Sequence, residues 1–134
     1  DWLELPATTM ANYCYCYMFR ETVLEPTPPR LPATTLADSC YVWMFQYGNV
    51  LGKIPLLPAT TLAEWCYAEM FSECLWIWLS ETQSPQFPNP YRIPSSWTWI
   101  DATESMEDMF ASVGWTWSGT PTINTTYYTS NTVI

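Results

Sequence analysis

Histidine is absent from the chain. With it goes the commonest general base and metal ligand at neutral pH, so neither acid–base catalysis nor a metal centre is expected. Glycine occurs 4 times and forms no Gly-rich loop that could cradle phosphates. Lysine and arginine together number 4 against 13 acidic residues, a net charge of −9. A polyanion is held by clustered cations, and Arg20, Arg30, Lys53 and Arg92 form no cluster. Nucleic acid and anionic membranes are therefore not expected as partners. No apolar run approaches the roughly 18–20 residues of a membrane span. The best candidate, CLWIWLS at 74–80, is too short and reads as a packed strand, so membrane insertion is not expected either. A signal peptide is also missing. Asp1 opens in mid-pattern and ELPATTM follows almost at once, as in a mature product or a fragment of something longer.

Aromatic residues are plentiful. Nine Trp and nine Tyr in 134 residues exceed what a small core buries, so some are expected on the surface, where such rings commonly mark binding faces. An apolar fraction of 49% suffices for the core of one domain or an array of small repeats.

The repeats are visible at once. LPATTMANYCYCYMF (5–19), LPATTLADSCYVWMF (31–45) and LPATTLAEWCYAEMF (57–71) recur at a step of 26 residues. A degenerate fourth copy, SMEDMF at 105–110, matches CYAEMF at 66–71 at a step of 39. The difference, 39 − 26 = 13 residues, falls in the Pro-rich stretch 84–97, which reads as a loop. Periods of 20–50 residues imply units that cannot bury an apolar face alone and stack into a continuous core. Within a unit, the Pro sets a turn and the Thr-Thr pair is placed to start a helix. Ala37, Cys40, Met44 and Phe45, with their equivalents Ala11, Cys14, Met18, Phe19 and Ala63, Cys66, Met70, Phe71, then fall on one helical face. Segments such as NVLGKIPL (49–56) read as short strands. The expected fold is α/β: a short leucine-rich-repeat-like solenoid with one helix and one strand per unit. The array spans 1–117, with units from 5, 31 and 57 and the fourth at about 101–117, and a β-rich cap or tail closes it at 118–134.

LLPATTLAEWCYAEMFSEC (56–74) resembles the BspA-like leucine-rich repeats of bacterial surface proteins, in which a Leu-Pro precedes a helix carrying a small residue and a Phe, with a Cys after the Phe. The resemblance covers about 3–80 and weakly 101–117; Thr22 and Gly48 stand where Cys74 is. It implies adhesion or binding at a surface, and related repeats occur in gut-microbe and phage-encoded proteins.

The letters that change lie between the constant ones: Asn-Tyr, Asp-Ser and Glu-Trp at 12–13, 38–39 and 64–65, and Cys-Tyr, Val-Trp and Ala-Glu at 16–17, 42–43 and 68–69. On a helix these point toward solvent. One reading is drift. The other is a diversified contact surface of Tyr13, Tyr17, Trp43, Tyr47, Trp65, Trp76 and Trp78, since rigid aromatics give contact area at low entropic cost.

Cys14, Cys40 and Cys66 read as equivalent buried thiols, Cys16 as exposed and Cys74 as buried, with no disulfide expected. Glu104, Glu107 and Asp108 sit on a predicted helix as solvated charges, or alternatively as a cation site. LPATT differs from a sortase signal in lacking its Gly, and NTT at Asn124 fits a glycosylation sequon. A non-catalytic recognition or adhesion module follows, without a cofactor, extracellular on a cell surface or virion, binding protein or glycan. The alternative is a structural protein whose repeats self-associate into a filament or a virion decoration.

Overall fold

The computed structural model describes residues 5–23, 27–48, 52–95, 102–114 and 116–134. Among the described residues the chain is mostly strand and coil and forms two small sheets, with almost no helix and no solenoid closure. The expected α/β solenoid with a helix in every unit is therefore incorrect. Among the described residues the helix is α1, Ala102–Met106, 5 residues long.

The segments read as helices are ladders of consecutive turns. In the first copy the N–H groups of Cys14, Cys16, Met18, Arg20 and Thr22 each donate to the carbonyl three residues earlier. The alternate N–H groups, of Tyr13, Tyr15, Tyr17, Phe19 and Glu21, donate instead to the carbonyls of Asp38, Cys40, Val42, Met44 and Gln46 in the second copy. The second copy repeats this toward the third, with Ser39, Tyr41, Trp43, Phe45 and Tyr47 donating to Glu64, Cys66, Ala68, Met70 and Ser72. Donors thus alternate between closing a local turn and joining the next copy, so the backbone is paired without helix or regular sheet. The left-handed conformation recurs every fourth residue, at Tyr13, Tyr17 and Glu21 and at their equivalents in later copies. That is the conformation a type II turn requires at its third residue.

The Thr-Thr pair does not start a helix. Thr9, Thr35 and Thr61 make parallel bridges between successive copies. Above them, the Asn12 carboxamide oxygen accepts from the Asp38 N–H at 3.1 Å, and an Asp38 carboxylate oxygen accepts from the Glu64 N–H at 3.3 Å.

Stacked aromatics fill the core. Phe19, Phe45, Phe71 and Phe110 form one column with ring centroids 5.8, 5.3 and 5.5 Å apart, and Tyr15, Tyr41 and Tyr67 form a second at 6.1 and 5.7 Å. The fourth unit stacks on the third: Tyr67, Glu69, Phe71 and Glu73 donate to Ser105, Glu107, Met109 and Ala111. Phe110 then meets Tyr91 and Trp117 edge-on, at 6.4 and 6.2 Å.

Those rings connect the copies to the C-terminal half. Strand β1 is Lys53–Ile54, β2 Leu79–Ser80, β3 Asn89–Ile93, β4 Thr125–Thr129 and β5 Thr132–Val133. β4 lies between β2 and β3, antiparallel to both, while β5 pairs parallel with β1. Two expectations change here. The Pro-rich stretch contains β3 rather than only a loop; Pro90 is tolerated because β3 is an edge strand, where a missing donor costs least. The segment CLWIWLS contributes only Leu79 and Ser80 to a strand. The residues before them are held by buried Asn131, which donates to the Trp76 carbonyl at 2.8 Å and accepts from the Trp78 N–H at 3.0 Å.

Candidate recognition groove

Because the left-handed positions recur every fourth residue within a copy and every 26 between copies, they form columns across the array. Tyr13, Ser39 and Trp65 make the first column. Tyr17, Trp43 and Glu69 make the second, continued in the fourth unit by Asp108 (69 + 39), and Glu21, Tyr47 and Glu73 make the third, continued by Ser112 (73 + 39). All have φ between 51° and 61°. Large side chains tolerate this region poorly, so its recurrence at Tyr and Trp is a property of the ladder and its inter-copy hydrogen bonds.

The first two columns border a groove of about 610 Å³. Its lining includes Tyr13, Ser39 and Trp65 of the first column and Tyr17, Trp43, Glu69 and Asp108 of the second. Cys16, Val42 and Ala68, each one residue before the second column, also line it, with Glu107. Tyr17 and Trp43 stack with centroids 4.7 Å apart. Beside them the Arg20 guanidinium lies 5.8 Å from the Tyr17 ring and 5.7 Å from the Tyr47 ring, a cation–π arrangement, and its Nε donates to Gln46 at 2.8 Å. Among the described residues, Glu69, Glu107 and Asp108 form no ion pair.

Four of the seven expected contact residues, Tyr13, Tyr17, Trp43 and Trp65, therefore meet in one groove. Tyr47 stands in the third column beside it. Trp76 is exposed but outside the groove, and Trp78 lines a separate cavity of about 430 Å³ with Phe87 and Thr116. The expectation that the changing positions all face solvent fails at Ser39, Val42 and Ala68, which are buried; they are the small residues that make room for the groove. Glu107 and Asp108, read from sequence as helix-face charges, follow α1 in the turns and reach the groove, while Glu104 lies on α1 itself.

The cysteines also depart from expectation. Cys40, Cys66 and Cys74 are buried, but Cys14 is exposed and Cys16 is half-buried in the groove. A step of two residues along the ladder is not the half-turn it would be on a helix. Burial raises the Cys16 thiol above its ordinary value and pushes those of Cys40 and Cys74 up to about 12, which suits inert packing groups rather than nucleophiles. Cys74 Sγ donates to the Phe45 carbonyl at 2.9 Å. No family model, curated protein or solved structure matches the chain.

Proposed function

We propose that the protein is a non-catalytic recognition module that holds a segment of a partner protein or glycan in the Tyr13–Trp65 groove. The observation that carries this reading is the convergence of four aromatic side chains, drawn from three copies, on one concavity of about 610 Å³. Rigid rings over a floor of small residues give a partner contact area with little side-chain entropy to lose. The surroundings support binding over turnover, because histidine is absent and the Cys16 thiol is held toward its protonated form. The resemblance of the repeats to BspA-like surface proteins supports display on a cell surface or virion.

The test is selection from randomised peptides and a glycan panel, with Trp43→Ala and Trp65→Ala as controls. Ligands selected on the wild type are expected to lose about 2 kcal/mol or more on either variant. Trp65→Ala should leave stability within about 0.5 kcal/mol, and Trp43→Ala should cost up to about 1.5 kcal/mol, because its stack on Tyr17 is lost. An empty selection, or ligands indifferent to both variants, would contradict the reading.

End-to-end assembly of copies is favoured by a different observation: the first copy leaves Met18 50% exposed where its equivalents are covered. Light scattering separates the two readings. A monodisperse monomer supports recognition, and polymers growing with concentration support assembly.

A further inference from the structure

The first column reads ring, hydroxyl, ring. Tyr13 and Trp65 flank Ser39, whereas the interior Tyr15–Tyr41–Tyr67 column carries a ring at every step. Adjacent copies are joined by strand-like hydrogen bonds, so residues two copies apart stand roughly 10 Å apart at the backbone. A flat group in van der Waals contact with two rings needs about 3.5–4.0 Å on each side. The missing ring at position 39 therefore leaves a slot one planar group thick. Ser39 lies at its base, 8% exposed and lining the groove, and its hydroxyl makes no hydrogen bond with the described residues.

Resting on the reading of this groove as a recognition site, we propose that the gap over Ser39 is a cation slot that takes the guanidinium of an arginine in a basic segment of a partner protein. Shape asks for a flat group. Charge asks for a positive one: Glu69, Glu107 and Asp108 line the same groove, and the chain carries a net −9. A guanidinium is both planar and permanently charged, and it stacks on aromatic faces while its N–H groups reach acceptors. The Ser39 hydroxyl and, one copy on, the Glu69 carboxylate are the acceptors nearest the slot, while Glu107 and Asp108 in the fourth unit add negative charge at the end of the same groove. The molecule already uses the same chemistry internally, with Arg20 lying against the Tyr17 and Tyr47 rings. A neutral sugar would donate its hydroxyls to the carboxylates but leave their charge uncompensated, and an anion would be repelled by them.

The experiment is an NMR titration with a short Gly-flanked arginine peptide and its citrulline counterpart, which keeps the shape and removes the charge. The arginine peptide is expected to shift the Ser39 and Trp65 indole signals and to bind at least about tenfold more tightly than the citrulline peptide. Added sodium chloride should weaken it. Ser39→Tyr places a ring in the slot at a left-handed position (φ 56°) whose first-copy equivalent already carries Tyr13 (φ 61°), so this variant should fold and lose the arginine peptide. Should it unfold, Glu107→Gln combined with Asp108→Asn is expected to weaken binding about tenfold. Equal binding of citrulline, undiminished binding to folded Ser39→Tyr, or unchanged binding to the carboxylate variant would overturn the slot. So would absence of arginine-peptide binding while ligands from the peptide and glycan selection still depend on Trp43 and Trp65; in that case the groove remains a recognition site for a different ligand. Failure of the groove itself is read separately, from ligands indifferent to both Trp variants.

Discussion

The first and second copies use nearly the same letters and bury them differently. Met44 and Cys40 are fully covered, while Met18 is 50% exposed and Cys14 is exposed. Phe45 lies between Phe19 and Phe71, and Tyr41 between Tyr15 and Tyr67, whereas Phe19 and Tyr15 stack on one side only. Along the turn ladder the repeated Cys, Met and Phe are fully covered where the structure continues on both sides, because each ladder donates its alternate N–H groups and stacks its rings along the array; Leu5 and Met10, which precede the ladder, are buried even in the first copy. The groove depends on the same property. Its aromatic residues belong to three copies, and none of the copies could form it alone.

The sharpest way to break this comparison is to remove the same ring from both copies. Phe45→Ala is expected to cost about 3–5 kcal/mol, the range for a large core truncation. Phe19→Ala, from a half-buried site, should cost less than half of that. Denaturant melts of the pair check it, and equal losses would mean that position in the array does not govern burial.

Alkaline pH probes the same burial by titration. Burial holds the Cys40 and Cys74 thiols at about 12 against an ordinary 9.0. The unfolded chain therefore loses these protons first, and between about pH 9 and 12 the folded state binds more protons than the unfolded one. Stability is full below about pH 9 and falls as pH rises through that window, by at most about 1.4 kcal/mol per thiol per pH unit. Buried Tyr41, Tyr67 and Tyr91, also shifted upward by burial, act with the same sign. Cys40→Ala is expected to flatten the decline in chemical-denaturation stability across this range. A slope unaltered by the substitution would contradict the burial assigned to the second copy.

Thiol labelling sharpens the contrast without unfolding the protein. Cys14 should react first and Cys16 more slowly, while Cys40, Cys66 and Cys74 should react only at the rate of opening. Mass spectrometry of timed samples reads the order. Modification of Cys40 as fast as Cys14 would remove the difference between the copies.

The 26-residue period, the stacking of copies and the outward placement of Tyr13, Tyr17 and Trp65 were legible in the sequence. The turn ladder was not, and the reason is physical. The buried pairs Cys40-Tyr41 and Met44-Phe45, followed by Gly48, recur at a step of four, which over so few turns falls on the same arc as a helical step of 3.6. Left-handed positions usually announce themselves by Gly or Asn; here they carry Tyr, Ser, Trp and Glu. The Tyr15–Tyr41–Tyr67 column has no counterpart in a helix face drawn through Ala, Cys, Met and Phe. Strand β3 is hidden by Pro90 and the prolines that flank it; only an edge strand accommodates Pro90. The acidic end of the groove escaped because Glu107 and Asp108 lie 38 and 39 residues beyond Glu69 and only the stacking of the fourth unit brings them there.

The account rests most heavily on the left-handed residue at every fourth position, since those positions form the columns that frame the groove. Glu69, in the second column with φ 51°, lies inside the stretch expected to be helical and tests this directly by comparing Glu69→Gly with Glu69→Ala in denaturant melts. In the ladder the glycine variant should be the more stable by about 1 kcal/mol, because it relieves the steric cost of a side chain in the left-handed region. Were this segment a helix, the order would reverse, with alanine the more stable by about 1 kcal/mol, and that result would contradict the ladder and the groove it frames.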